Sequence, residues 1–80
     1  MQVGEVIRAM LEERMASERA TSLELGRSPY YLHSVGAPTR SPALGTVADV
    51  ADVLGYDLAI VDRTTGEELG RVVPPRRAGD

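Results

Sequence analysis

The stretch of sequence that decides the fold is residues 17–35, which read SERATSLELGRSPYYLHSV. Ser17 is a residue type that favours the N-cap position of a helix. Gly26 is the residue type that most often follows a helix in the left-handed conformation. Ser28 is a second N-cap candidate, and Pro29 suits the first position of a helix. The pattern therefore predicts two short helices joined by a tight turn at Gly26.

Two helices in this arrangement are typical of a helix-turn-helix, a motif that usually holds its second helix against DNA. In the helix before the turn, we expect Ala20 and Leu25 to be buried. In the helix after the turn, Tyr31, Leu32 and Val35 are spaced to pack inward.

Two longer amphipathic helices flank this pair. The first is predicted from Val3 to about Met15, and its apolar face is formed by Val3, Val6, Ile7, Met10 and Leu11. The fourth is predicted from about Ala43 to Leu54, and its buried stripe is formed by Leu44, Val47, Val50, Ala51 and Leu54.

The sequence changes character after the fourth helix. Residues 56–62 are rich in strand-forming types, residues 63–66 read as a turn, and residues 67–73 can return as a second strand. Pro74 and Pro75 then stop the strand, and a disordered tail is predicted beyond them. The chain thus divides into a helical domain at 1–55, a strand or hairpin extension at 56–75 and a tail at 76–80.

Composition excludes several classes of protein. The chain has 80 residues, no cysteine and a single histidine, so disulfides and thiolate or histidine-rich metal sites are not expected. No nucleophile, base and orienting group stand together in an enzyme-like pattern, so we expect neither catalysis nor a cofactor. No apolar run has the length of a membrane span, and the N-terminus lacks the features of a signal peptide, which predicts a cytoplasmic protein.

The order of helices and caps resembles the helix-turn-helix family of phage repressors and Cro-like regulators, the XRE family. The residues that carry the resemblance are Ser17, Leu25, Gly26, Ser28, Tyr31, Leu32, Val35, Pro42, Leu44, Val47, Ala51, Leu54 and Gly55. The resemblance implies a mainly α, four- to five-helix repressor-like domain, here followed by a short C-terminal β-strand or hairpin extension. It also implies a transcriptional regulator that binds operator DNA, commonly as a homodimer.

In that family the helix after the turn lies in the major groove. The resemblance implies, by matching positions along this helix, that four residues face base edges: Pro29, Tyr30, His33 and Ser34. Ser28, Thr39 and Arg40 are implied to lie near phosphates, and Arg27 can join either group. The chain departs from the family at Glu18, where a glutamine that touches a phosphate is common, because an acid there repels DNA.

The C-terminal segment supports a second hypothesis. Some family members, including antitoxins of bacterial toxin–antitoxin pairs, pair a C-terminal strand across a dimer. Candidates for such contacts here are Leu58, Ile60, Leu69 and Val72. Since the net charge is −3, the same scaffold also fits a protein-interaction module with weak or absent DNA binding, whose partner is a toxin or another protein.

Overall fold

Helix α1 spans Val3–Glu13 in the computed structural model, which describes residues 1–78. Its buried positions recur every three or four residues, as the apolar periodicity predicts, and are Gly4, Ile7, Met10 and Leu11. The prediction that Val3 packs inward is wrong, since it is 39% exposed in the first turn, beyond the reach of the core.

Helices α2 (Glu18–Glu24) and α3 (Tyr31–Val35) are joined by a turn in which Gly26 has a left-handed φ of 75°. The predicted cap of α2 is confirmed, because the backbone N–H of Ala20 donates a hydrogen bond of 3.1 Å to Ser17 Oγ. The predicted burial of Ala20 is wrong. It is exposed, whereas Thr21 and Ser22 are buried, because the side of α2 that faces α3 and α4 lies about 100° further around the helix.

The predicted start of α3 is also wrong. Ser28 does not cap the helix and Pro29 is not its first residue, because an additional turn precedes it. That turn is closed by a hydrogen bond of 3.1 Å from the N–H of Tyr31 to the carbonyl oxygen of Ser28. Within α3, Leu32 is fully buried, while Tyr31 and Val35 are half-buried against the core, as the spacing predicts.

Helix α4 spans Leu44–Leu54 and ends at Gly55, whose φ is 84°. The prediction that Leu44 belongs to the buried stripe is wrong, since it is 57% exposed where the first turn of α4 extends past the core. One turn later the helix enters the core. The buried core cluster joins three helices and contains Ile7, Met10, Leu11, Leu32, Val47, Val50 and Ala51.

A hairpin follows, with strand β1 at Ala59–Val61 and strand β2 at Glu68–Arg71. The strands are antiparallel, with Ala59 opposite Arg71 and Ile60 opposite Gly70. The register shifts at the next pair, because Val61 lies opposite Glu68. Leu69 is therefore the extra residue of β2, and it forms a β-bulge between the pairs Ile60–Gly70 and Val61–Glu68. The predicted turn at residues 63–66 is confirmed, with Gly66 at a φ of 76°.

The last described element is a short helix, α5 (Pro75–Ala78), in a region where the sequence predicts a disordered tail from residue 76. The prediction is wrong for residues 76–78, because acidic residues on α4 hold this segment. Asp49 Oδ1 accepts a hydrogen bond of 3.0 Å from the backbone N–H of Arg76, and Arg77 Nη2 lies 3.0 Å from Asp52 Oδ1. The last two residues of the predicted tail, Gly79 and Asp80, lie outside the described residues.

The result is a small, mainly helical domain with a two-stranded antiparallel sheet near its C-terminus. None of the helices in residues 1–78 has both the length and the apolar character needed to cross a membrane.

Candidate nucleic-acid interface

A single buried hydroxyl connects α2 to α3. Ser22 is fully buried, and its hydroxyl donates a hydrogen bond of 2.6 Å to the carbonyl oxygen of Glu18. Ser22 Oγ in turn accepts a hydrogen bond of 3.1 Å from the backbone N–H of Leu32. The orientation of α3 on α2 is thereby set by a bond between side chain and backbone as well as by apolar packing. Sequence reasoning missed this residue, because a serine within a helix looks like a surface position.

The side of α3 opposite Leu32 faces solvent. The residue Tyr30 is 74% exposed, the side chain of His33 is 76% exposed, and Ser34 is also exposed. Pro29 is half-buried beside them. The residues predicted to face base edges therefore lie together on one accessible surface, which we call the α3 surface and define as Pro29, Tyr30, His33 and Ser34.

Arg27 lies at the start of this surface, just after the turn. Its guanidinium carbon is 5.1 Å from the ring centroid of Tyr31, a distance at which a cation–π interaction operates. The stacking orients an arginine that makes no ion pair with the rest of residues 1–78, so its charge is available to an anionic ligand. Ser28, next in the chain, is exposed.

The loop after α3 brings two further predicted residues to the same region. Thr39 and Arg40 are exposed, and Arg40 Nη2 lies 3.4 Å from Ser34 Oγ at the end of α3. The loop is tied to α1 by a very close approach at Gly4. A Cβ atom there would overlap the carbonyl oxygen of Ala37 and lie 2.9 Å from that of Arg40. Only a residue without a side chain allows this contact.

The distribution of charge separates this region from the rest of the chain. Residues 25–48 contain no acidic residue, and all twelve acidic residues of the protein lie outside them. The segment includes Arg27 and Arg40, the α3 surface and the loop. A chain whose net charge is −3 therefore has one continuous segment whose only fixed charges are those of two arginines.

Glu18 is the acidic residue that adjoins the α3 surface. Its carboxylate lies 3.7 Å from His33 Nδ1 and 3.9 Å from Arg8 Nη1. Its Oε2 atom is buried, and within the described residues it accepts no hydrogen bond. The Arg8 guanidinium thus offsets part of the negative charge that this carboxylate presents to an approaching anion.

The four residues predicted to form a dimer contact fall into two groups. Leu58 packs on the core of its own chain, and Val72 is half-buried beside it, with its N–H donating a hydrogen bond of 2.8 Å to the Leu58 carbonyl oxygen. Ile60 and Leu69 are 50% and 85% exposed. Only the second pair offers apolar surface to another molecule.

Residues 1–78 contain no group of three or more side chains of the kinds that hold metal ions. The two acids of α4 that lie three residues apart, Asp49 and Asp52, instead bind the arginines of α5. In comparisons with family models, curated proteins and solved structures, no match to this chain was found.

Proposed function

We propose that this protein is a sequence-selective transcriptional regulator that binds double-stranded DNA as a homodimer. Helices α2 and α3 would act as the helix-turn-helix of a Cro- or repressor-type domain. The observation that carries the proposal is the exposed α3 surface with its following loop, a segment that contains arginines and no acidic residue in a protein whose net charge is −3.

In this proposal α3 enters the major groove, which is wide enough to admit an α-helix. Tyr30, His33 and Ser34 reach base edges, and Pro29 offers an apolar contact such as one with a thymine methyl group. None of these side chains is an Arg, Lys, Asn or Gln, the types that make bidentate base contacts. Selectivity therefore depends in part on the shape and deformability of the DNA.

Phosphate contacts would supply most of the affinity. Arg27 and Arg40 lie at the two ends of the α3 surface, and Ser28 and Thr39 are exposed beside them. Since arginine and hydroxyl side chains bind phosphate oxygens, these four residues fix the position of α3 on the duplex.

The direct test is a fluorescence anisotropy titration of the full chain against duplex fragments that tile its own promoter, with salt varied. We expect the affinity to fall as salt rises. Arg40→Ala should weaken binding to all fragments and lower the salt slope by about one. Arg40→Lys, which keeps the charge, should retain most of the affinity. Binding that does not respond to salt, or no binding at low salt, would contradict the proposal.

A second candidate is a protein-interaction module, with a toxin-like protein as its partner. The exposed apolar side chains of the hairpin favour it: Ile60 and Val61 on β1, Leu69 on β2, and Val73. The same titration separates the two candidates. A protein that binds no fragment at low salt but forms a defined complex with the product of a neighbouring gene, seen by light scattering, would support the module.

A further inference from the structure

The two edges of the hairpin have opposite characters. Strand β2 contains Glu68 and Arg71 and is interrupted by the bulge at Leu69. Charges and bulges are the devices by which proteins protect an edge from pairing with another strand. The β1 edge has neither, because residues 58–61 read LAIV and all three residues of β1 are exposed.

The backbone groups of β1 alternate between the two edges. The carbonyl oxygen of Leu58 accepts a hydrogen bond from the N–H of Val72, and the N–H of Asp62 donates one to the carbonyl oxygen of Glu67, each at 2.8 Å, at the two ends of β2. In an antiparallel strand, alternate residues point their N–H and C=O groups to the same side. Leu58, Ile60 and Asp62 therefore face β2. Ala59 and Val61 turn their backbone groups outward, where the described residues provide no third strand.

The sequence around β1 is complementary to itself when it runs antiparallel. If Ile60 lies opposite its own copy, Ala59 lies opposite the partner's Val61, and the outward backbone groups of these residues meet. Continued past both ends of β1, the same register brings Asp57 towards the partner's Arg63, the first residue of the turn that follows the strand. Asp57 is 68% exposed although it pairs with Arg71 at 2.8 Å, and Arg63 makes no ion pair within residues 1–78.

We propose that two copies of this chain join through their β1 edges, antiparallel and centred on Ile60, to form one four-stranded sheet. The inference deepens the proposed function and rests on its homodimer, but not on DNA binding. A two-stranded hairpin alone is marginal in water, whereas a four-stranded sheet that buries apolar side chains is stable. Leu69, although more exposed than Ile60, lies outside this contact.

Val61→Pro tests the proposal by sedimentation equilibrium of the full chain. Proline removes the outward N–H of Val61 but no bond to β2, and it is tolerated on an edge strand. We expect the dimer dissociation constant to rise by at least about tenfold, with an unchanged far-UV circular dichroism spectrum. The control Leu69→Ser removes the larger exposed side chain from β2 and should leave the constant unchanged. A monomeric parent protein, or a Val61→Pro variant that dimerises as the parent does, would overturn the proposal.

Arg63→Asp gives a second test that does not alter the strand. At each end of the paired β1 strands, the new acid of one copy then meets Asp57 of the other. We therefore expect a weaker dimer, and high salt should partly restore it by screening the repulsion. Unchanged dimerisation would count against the proposed register.

The outcomes distinguish a failure of this inference from a failure of the proposed function. A parent protein that binds DNA but stays monomeric overturns the β1 contact and the homodimer but leaves DNA binding standing, whereas a β1-linked dimer that binds no DNA overturns only the regulator.

Discussion

Glu18 illustrates how one residue can serve the fold and oppose the proposed ligand. It lies in the first turn of α2, where an acid interacts favourably with the helix dipole, and its carboxylate is near Arg8 and His33. It also adjoins the surface that we propose to meet phosphates. The negative charge of Glu18 therefore stabilises α2 but disfavours the binding of an anion.

We expect Glu18→Gln to raise affinity for DNA by about threefold to tenfold, because one repulsive charge is removed from the interface. The free energy of unfolding should fall by less than about 1 kcal/mol, since the lost ion pairs are partly exposed. Anisotropy titration measures the first effect and urea denaturation the second. Glu12→Gln makes the same chemical change at an exposed position of α1, so an equal gain there would show that net charge alone is responsible.

At the scale of elements, the pairing of α2 with α3 depends on a short, buried side chain that hydrogen-bonds to both helices. Ser22 satisfies a buried N–H of α3 while its hydroxyl hydrogen is used within α2. An apolar residue could fill the same space but would leave the Leu32 N–H without an acceptor.

Ser22→Ala should therefore lower the free energy of unfolding by about 1–3 kcal/mol, the cost of leaving a buried donor unpaired. Amide hydrogen exchange at Leu32 should accelerate by more than the global loss of stability explains. Ser28→Ala is the matched control, because Ser28 is exposed and does not cap α3. An equal loss in both variants would contradict the role assigned to Ser22.

The contact between α1 and the loop after α3 leads to a similar expectation. Gly4→Ala places a methyl group against two backbone carbonyl oxygens that cannot rotate away, so we expect a loss of about 1–3 kcal/mol in stability. Displacement of the loop should also weaken DNA binding through Arg40. Gly70→Ala is the control, since a Cβ at Gly70 has no neighbour within 4 Å. The test is the melting temperature of each variant, measured by thermal unfolding. Equal melting temperatures for Gly4→Ala and Gly70→Ala would refute the close contact at Gly4.

At the scale of the whole molecule, the proposed dimer makes a prediction about DNA geometry. Two α3 helices held in one rigid assembly bind half-sites about 34 Å apart on the same face of the duplex. Inserting about 5 bp between the half-sites of a selected operator turns one of them to the opposite face, so cooperative binding should disappear. The Val61→Pro variant should bind both duplexes alike. If the parent protein also tolerates the insertion, the two helices are not rigidly coupled.

Much of the fold could be predicted because the helical signals are local. The Ser17 cap, the Gly26 turn and the apolar stripes of α1 and α4 each depend on residues within a few positions of one another. The same holds for the hairpin, whose turn at Gly66 needs only a glycine that accepts a positive φ. Predictions failed at the ends of elements, as with Val3 and Leu44, since periodicity does not say where the core stops.

The sequence by itself determined the order of the first four helices, the hairpin and the residue types of the candidate site, because caps, turns and periodicity act over short distances. Only the tertiary structure decided that Ser22 bridges α2 and α3, that Gly4 holds the loop, and that Arg76 and Arg77 bind the acids of α4. It also decided which edge of the hairpin is open. The physical reason is that these contacts join residues distant in the chain, and their partners are chosen by packing rather than by spacing.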